Sequence, residues 1–183
     1  MTRAVVLPTF RYHPDPLASG SIVGSDVECR RCRQSRGYIY TGPVYSEADL
    51  DDGLCPWCIA DGSAHREFDA SFVDSEAFAP NVPGPVVAEV SERTPGYNTW
   101  QSEEWPACCN DATAFLAPAG ISEIRKTYRE LEGSVLSHII YNMSISGGAA
   151  TRLLESLNID AGPTAYLFQC LACGEHQFHI DGP

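Results

Sequence analysis

The sequence lacks any long apolar run. Its first hydrophobic stretch, AVVL at 4–7, ends at Pro8 and is shorter than the roughly 7–15 apolar residues of a signal peptide. Nowhere does the chain reach the approximately 18 consecutive apolar residues of a membrane span. We therefore expect a soluble, cytoplasmic protein that has no membrane partner.

Basic residues are scarce. The chain has 12 Lys and Arg against 24 Asp and Glu, which gives a formal net charge of −12. Proteins that bind nucleic acid normally meet the phosphate backbone with a basic face, so nucleic acid is not the expected partner. A cationic protein fits the charge better. The acids are concentrated between Glu47 and Glu76, where Arg66 is the only Lys or Arg.

The familiar catalytic signatures are missing as well. The sequence contains no G-x-S-x-G elbow, no P-loop, no H-E-x-x-H pair and no dinucleotide-binding glycine pattern. His65 and His138 have no partner at the spacing of a known triad, so we interpret them as ordinary polar or core residues. These absences disfavour an enzyme.

No cysteine is isolated, although the chain has eight. They form three C-x-x-C pairs and one adjacent pair. Structural disulfides are rare in the cytosol, whereas two sets of four match the ligand number of a tetrahedral zinc site. We predict two structural zinc ions held by thiolates. The predicted ligands are Cys29, Cys32, Cys55, Cys58, Cys108, Cys109, Cys170 and Cys173.

The first set combines Cys29-x-x-Cys32 with Cys55-x-x-Cys58, a spacing close to that of known zinc modules. The second of these pairs, CPWC, could instead be a redox dithiol at a helix N-terminus. The sequence around it is not a βαβ unit, and another C-x-x-C lies upstream at ligand spacing. Zinc is therefore the favoured interpretation, and a dithiol oxidoreductase ranks third among the functional alternatives.

The second set joins the adjacent Cys108 and Cys109 to the pair at 170–173. Neighbouring side chains of an extended chain diverge, so both can reach one ion only if the backbone bends. One thiolate could be replaced by another side chain, and the candidates are Asp111, His176 and His179. Because His176 shares a strand face with Phe178, we favour a core or supporting role for that imidazole.

Hydrophobic periodicity predicts an α+β fold, with zinc-ribbon or treble-clef-like β elements at both ends of the chain and a helical middle packed with them. DVEC at 26–29 and RGYIY at 36–40 are interpreted as strands around a thiolate turn, and Ser46 as a helix N-cap. We expect one compact domain in four segments. They are an N-terminal arm at 1–25, a first zinc-knuckle unit at 26–80, a helical middle at 81–160 and a second knuckle hairpin at 161–183.

Several long motifs together resemble the CbrC family of bacterial proteins. They are FRYHPDPLASGSI, the GYIYTGPVYS that follows the first C-x-x-C, LCPWCIADGSAH and CCNDATAFL. The resemblance runs from about Pro8 to Ile180. It implies an immunity-like role, because the eponymous member is associated with tolerance to a DNase-type colicin and relatives often lie beside polymorphic-toxin genes. It also implies that the cysteine pairs are metal ligands, and it assigns no catalytic residue.

The predicted function is thus a non-enzymatic, immunity-like binding protein that sequesters a toxin, such as a nuclease, through an acidic surface. The predicted contact residues are Glu47, Asp49, Asp51 and Asp52, with Trp100 and Trp105 as aromatic anchors. The alternative is a zinc-ribbon-type regulator that contacts nucleic acid or another protein. Its contacts would come from the arginines beside the first knuckle, which are Arg30, Arg31, Arg33 and Arg36.

Overall fold

The computed structural model describes residues 6–183, so the first five residues of the predicted arm lie outside it. The strands and helices are β1 Ile22–Gly24, β2 Tyr38–Tyr40, α1 Pro56–Ala60, α2 Ser63–Phe68, α3 Gly84–Arg93, β3 Ala107–Cys108, β4 Asp111–Ala112, β5 Ala114–Ala119, α4 Ile121–Thr127, α5 Glu132–Tyr141, α6 Gly148–Ser156, β6 Thr164–Gln169 and β7 His176–Asp181. Small antiparallel sheets lie toward both ends of the chain, which confirms the α+β prediction. Among residues 6–183, no helix is long and apolar enough to cross a membrane.

The first unit is a short β-ribbon followed by two short helices. β1 pairs antiparallel with β2, so that Ile22 lies opposite Tyr40, and Tyr40 also forms a bridge to Leu54. The side chains of Ile39 and Ile59 are buried in the same core as Cys29, Cys55 and Cys58. The first cysteine set therefore lies inside a hydrophobic core rather than on a surface loop.

Two local predictions in this unit are wrong. The strand that pairs with β2 is Ile22–Gly24, upstream of the predicted DVEC at 26–29. Ser46 does not begin a helix, because residues 46–48 form bends and the next helix starts at Pro56. The Ser46 hydroxyl instead donates to the carbonyl of Phe68 at 2.9 Å, which ties this loop to the end of α2. A tertiary contact uses the group that would have capped a helix.

The helices of the middle segment follow the predicted periodicity. The four helices α3, α4, α5 and α6 all lie within the predicted helical middle at 81–160. Gly147, at φ 61°, is the N-cap of α6 and has a backbone conformation that favours glycine. The buried faces of α4–α6 form one apolar cluster together with Leu131, which lies in the turn between α4 and α5; its other central side chains are Ile124, Val135, Ile139 and Leu154.

The middle segment is not only helical, because it contains β5. This strand pairs antiparallel with β6 and completes a three-stranded sheet in the order β5-β6-β7. Pro118 lies within it, and the pairing register shifts between Phe115 and Ala117. Proline is tolerated on the edge strand of a sheet but weakens a sequence-based strand assignment. The AFLAPA stretch at 114–119 therefore gives only a weak strand signal in the sequence.

The sheet is covered on both faces. Ala165 and Leu167 of β6 pack against the cluster of α4–α6, whereas Tyr166 and Phe168 point into an aromatic core on the other face. That core includes stacked rings of Tyr97 and Phe115, whose centroids lie 4.4 Å apart. β6 therefore has buried residues on both sides, which explains its continuous apolar sequence.

The N-terminal arm is fixed against this aromatic core. The carbonyl of Tyr12 accepts the backbone N–H of Phe115 at 2.8 Å, so the arm extends the outer edge of β5. The His13 ring is fully buried and contacts Phe115 edge-on. Its Nδ1 lies 2.8 Å from the Pro95 carbonyl and its Nε2 lies 2.7 Å from the Ser19 hydroxyl. Because a carbonyl only accepts, Nδ1 carries the proton and Nε2 accepts from Ser19.

The buried His13 predicts a loss of stability in acid. Burial lowers the pKa of His13 from 6.5 to about 4. As the pH falls from about 6.5 to 4, the unfolded chain takes up the proton first, so this group removes about 3 kcal/mol from the free energy of unfolding. The contribution is fully present above pH 6.5. Denaturant titrations at several pH values should show a flatter pH dependence for His13→Gln than for the wild type. Identical slopes between pH 6.5 and 4 would contradict this assignment.

Candidate metal centres

The first cysteine cluster forms where the β1–β2 ribbon meets the start of α1. Cys29 and Cys32 lie in the turn that precedes β2, Cys55 is the N-cap of α1 and Cys58 lies in its first turn. The backbone N–H of Cys55 donates to the Cys29 sulfur at 3.3 Å, which aligns the two segments. The fold therefore brings together the two C-x-x-C pairs that the sequence predicts as one set.

The sulfur atoms have the spacing of a tetrahedral site. Cys29 and Cys58 lie 3.8 Å apart, Cys32 and Cys55 lie 3.8 Å apart, and Cys55 and Cys58 lie 3.6 Å apart. Four Zn–S bonds of about 2.3 Å at tetrahedral angles give sulfur–sulfur edges of roughly 3.8 Å. A disulfide needs roughly 2.05 Å. The geometry therefore fits an ion at the centre of four thiols and not a bond within CPWC.

The second cluster depends on a bent backbone between its adjacent cysteines. β3 and β4 form a hairpin in which Cys108 pairs with Asp111, so Cys109 and Asn110 are its two-residue loop. Both loop residues have positive φ, 54° and 61°, as a type I′ turn requires. This turn directs the neighbouring thiols toward one point. It is the backbone bend that two adjacent ligands of one ion require.

The four sulfurs of the second cluster also converge. Cys108 lies 3.8 Å from Cys109 and 3.6 Å from Cys173, and the ligand atoms of all four cysteines, including Cys170, lie within 4.8 Å of one another. This hairpin lies beside the turn that joins β6 to β7. The second centre therefore joins two hairpins that are far apart in sequence.

None of the three alternative ligands lies in the described sulfur cluster, and two of them have other side-chain partners. Asp111 accepts hydrogen bonds from Arg11 and from the hydroxyl of Tyr12, each at 2.7 Å, so its carboxylate anchors the arm. His179 stacks on Tyr166 on the opposite side of β7 from the helical core. His176 lies at the start of β7, and neither it nor the other two candidates belongs to the sulfur cluster within the described chain.

The two knuckle turns share one backbone conformation. Cys29 donates to the carbonyl of Gln34, and the residue after the second cysteine, Arg33, donates to Cys29. Cys170 and Gly174 make the equivalent bonds, with Glu175 as the outer acceptor. The residue after the second cysteine is left-handed in both turns, at φ 56° and 78°. The knuckles near the two ends of the chain therefore have the same turn geometry.

Hydrogen bonding lowers the pKa of one thiol in each cluster. Hydrogen bonds with Cys55 and Cys58 hold the pKa of Cys29 well below its ordinary value, and the contact with Cys29 in turn raises the pKa of Cys58. In the second cluster, the backbone N–H groups of Cys173 and Ala172 lower the pKa of Cys170 to about 6. One thiol of each cluster is thus shifted toward its thiolate form, which favours a cation that would displace the remaining thiol protons.

The clusters differ in their access to solvent. In the first, Cys29, Cys55 and Cys58 are at most 3% exposed. In the second, Cys109 and Cys173 are exposed. A chelator or an oxidant therefore has direct access to the second cluster, whereas in the first only Cys32 is partly exposed and the other three thiols are reached when the core opens.

The predicted partner-binding residues are only partly at the surface. Glu47, Asp49, Asp51 and Asp52 are all exposed in the loop between β2 and α1. Trp100 is 39% exposed, and its indole N–H donates to the Thr164 hydroxyl.

Trp105 is a correction to the predicted anchors. Its side chain is only 1% exposed and its indole N–H donates to the carbonyl of Thr113 at 2.8 Å. It belongs to the aromatic core between the sheet and the arm. A large aromatic ring with one polar group is stable in a core when that group finds an acceptor, so its position in a turn-rich stretch was no guide to its exposure.

No sequence pattern predicts the contact between His13 and Ser19. The six-residue separation matches no standard motif, and the pairing depends on the turn at 15–20, where Asp15 accepts from the backbone of Ser19. The third partner is a backbone carbonyl, that of Pro95. Only the folded structure brings this group to the imidazole.

Chelator treatment of the zinc-loaded protein should remove metal in two phases. We expect one ion to leave quickly from the exposed second cluster and the other to leave slowly from the buried first cluster. Native mass spectrometry over time measures both. Cys173→Ser should remove the fast phase and leave the slow one. Loss of both ions at the same rate, or a wild-type protein that takes up no Zn²⁺, would contradict the two-centre assignment.

The shared knuckle conformation predicts opposite effects of two matched substitutions. Gly174→Ala should lower the free energy of unfolding by about 1 kcal/mol, because a left-handed conformation is costly for a residue with a Cβ. Steric crowding is not involved, since a Cβ there meets no described atom within 4 Å. Arg33→Gly should raise the same quantity by roughly 0.5 kcal/mol. Denaturant titration of the metal-loaded variants measures both changes. If both substitutions change the free energy of unfolding in the same direction, the explanation is wrong.

The chain matches known proteins over nearly its whole length. Residues 7–182 match the model of a family described as "Uncharacterised protein family (UPF0167)". UPF0167 protein Mb2317 of Mycobacterium bovis is 46% identical over 96% of this chain and 93% of its own length. UPF0167 protein PA1536 of Pseudomonas aeruginosa is 44% identical over 96% of this chain and 97% of its own. No solved structure matches. The CbrC resemblance stays a prediction, because these matches carry the name UPF0167; the chain belongs to the UPF0167 family.

Proposed function

We propose that this protein is an immunity-like binding protein, in which two structural zinc ions hold the fold and an acidic surface sequesters a cationic toxin such as a nuclease. The observation that carries the metal assignment is the convergence of four thiols in each cluster. Four thiolates close the coordination sphere of Zn²⁺, so no position is left for water or substrate. Zinc in such a site stabilises the fold and does not act on a substrate.

The first zinc centre would position the acidic loop of residues 47–52. This loop lies between β2 and Cys55, and the carbonyl of Gly53 accepts the backbone N–H of Arg30 in the knuckle. Leu50 is buried and fixes the loop from inside, whereas the flanking carboxylates point outward. A loop held at both ends loses little entropy when a partner binds, which favours tight association.

A cleft beside this loop adds to the acidic surface. It has a volume of about 780 Å³, and none of its described lining residues is Lys or Arg. Its acidic members are Asp74, Glu76, Glu103 and Glu104. Tyr45, two residues before Glu47, donates its hydroxyl to Glu103 at 2.8 Å and so connects the loop with the cleft. Clustered negative charge attracts a cationic partner and raises its association rate.

The arginines beside the first knuckle support the alternative regulator less well. Arg31 forms an ion pair with Glu67 at 2.7 Å, and Arg30 lies 3.9 Å from Asp49. The guanidinium of Arg36 lies over the ring of Trp57. Most of this cluster is therefore engaged within the protein, which leaves less positive charge for a phosphate backbone.

Charge reversal distinguishes these two functions. With the purified nuclease domain of a DNase-type colicin as probe, changing Glu47, Asp49, Asp51 and Asp52 to Lys should slow association at least about tenfold at low salt. Stopped-flow fluorescence measures the rate, and added salt should slow the wild type toward the variant.

The matched control changes two basic residues of the same region. Arg30→Glu with Arg33→Glu should leave toxin association unslowed. If the wild type does not bind the nuclease domain but binds a DNA duplex, and the arginine variant loses that binding, the regulator is correct. Equal loss of toxin binding in both variants would remove the electrostatic basis of the proposal.

A further inference from the structure

A serine hydroxyl and a buried imidazole form a pair that neither the metal centres nor the acidic surface uses. Ser19 Oγ lies 2.7 Å from His13 Nε2. The His13 ring is fully buried, whereas Ser19 is partly exposed. A histidine in the core needs hydrogen-bond partners for both nitrogens, and here one of those partners is a hydroxyl that reaches the surface.

The imidazole is held in the tautomer that a general base requires. Its Nδ1–H donates to the Pro95 carbonyl, so the Nε2 lone pair faces the serine. The other contacts of the Ser19 hydroxyl are longer, at 3.2 Å to the carbonyl of Pro16 and 3.4 Å to the hydroxyl of Ser21. A hydroxyl has one proton, and the shortest contact identifies His13 as its acceptor. A nucleophile, a base and a group that orients the base are thus in line.

Ser19 lies on the wall of a cavity of about 300 Å³ between the arm, the 97–100 loop and the sheet. That volume is at the lower end for small-molecule sites. Most of the wall is aromatic or apolar, with rings from Tyr97, Trp100, Phe115 and Tyr166. Trp100 and Asn98 are exposed, so the cavity opens to solvent.

The chemistry of the wall restricts the class of ligand. None of the described lining residues is charged, which favours a neutral molecule over an ion. Ser21 and Asn98 also line the cavity and carry O–H and N–H donors. Such donors can stabilise the negative oxygen that develops when a carbonyl is attacked.

We propose that Ser19 is a nucleophile, that His13 is its general base, and that the cavity accepts a small neutral carboxylic ester. Ser19 Oγ forms a bond to the ester carbonyl carbon while its proton passes to His13 Nε2. The bond from that carbon to the alkoxy oxygen then breaks, and the departing alcohol takes the proton from Nε2. Water repeats the sequence on the acyl-serine and releases the carboxylic acid. The low basicity of the buried His13 makes this turnover slow, so acylation of Ser19 is the more sensitive observable.

The test uses the full zinc-loaded protein and a fluorophosphonate probe, which reacts with activated serines. We expect an adduct on the peptide that contains Ser19, mapped by mass spectrometry. Ser19→Ala should abolish it, and His13→Gln should slow it by about 100-fold. Ser137→Ala is the control, because Ser137 is an exposed serine on α5 that does not line the cavity, and this variant should label at the wild-type rate. The rates of p-nitrophenyl acetate hydrolysis by the wild type and the variants should rank in the same order as their labelling rates.

Peptide mapping of the wild type shows whether Ser19 is the labelled residue, even if a variant fails to fold. Zinc content and circular dichroism show whether each variant is native. No adduct, an adduct on another residue, or equal labelling of native Ser19→Ala would overturn the proposal. The proposed toxin surface does not include this pair, so Ser19→Ala should leave toxin binding unchanged. A failure of one proposal can therefore be distinguished from a failure of the other.

Discussion

The structure depends on bringing thiols together from distant parts of the chain. Cys29 and Cys58 are 29 residues apart, and Cys108 and Cys173 are 65 residues apart, yet each pair lies within 3.8 Å. Closing such loops is entropically costly, and four thiolates at this spacing repel one another unless protons or a cation lie between them. A central metal ion, such as the proposed Zn²⁺, would remove the repulsion and would turn the closed loops into stability. The β1–β2 ribbon and the β3–β4 hairpin are too short to be stable without further packing or a metal.

The three-stranded sheet separates two of the three hydrophobic cores of the protein. Its central strand, β6, separates the apolar cluster of α4–α6 from the aromatic core. The N-terminal arm closes the aromatic side, with His13 as its buried polar attachment. The same attachment places Ser19 at the edge of the cavity. The buried imidazole of His13 needs a hydrogen-bond partner, and Ser19 provides it. The same hydrogen bond gives Ser19 the geometry of the proposed nucleophile.

The proposed binding surface and the proposed nucleophile use different parts of this framework. The acidic loop at 47–52 is attached to the turn of the first cysteine cluster, and the serine is attached to the arm and the sheet. The acidic cleft is lined by Glu103, whose carboxylate is mostly buried and accepts from Tyr45. Burial raises the pKa of this carboxyl group. The negative potential of the protein is thus concentrated in exposed loops, while the cavity beside Ser19 is lined by neutral residues.

The sequence by itself determined the two cysteine sets, the α+β class and most of the helices. Ligand spacing and helical periodicity are local properties, and they can be read without knowledge of the fold. Tertiary structure decided the rest. Pro118 concealed the strand that completes the sheet, Asp111 bonds to the arm rather than to a metal, and Trp105 lies in the core despite its turn-rich surroundings. The orientation of His13 toward Ser19 also depends on the carbonyl of Pro95, which accepts from Nδ1. A buried polar group bonds to the partner that folding brings near it. The spacing of residues in the sequence does not predict which partner that is.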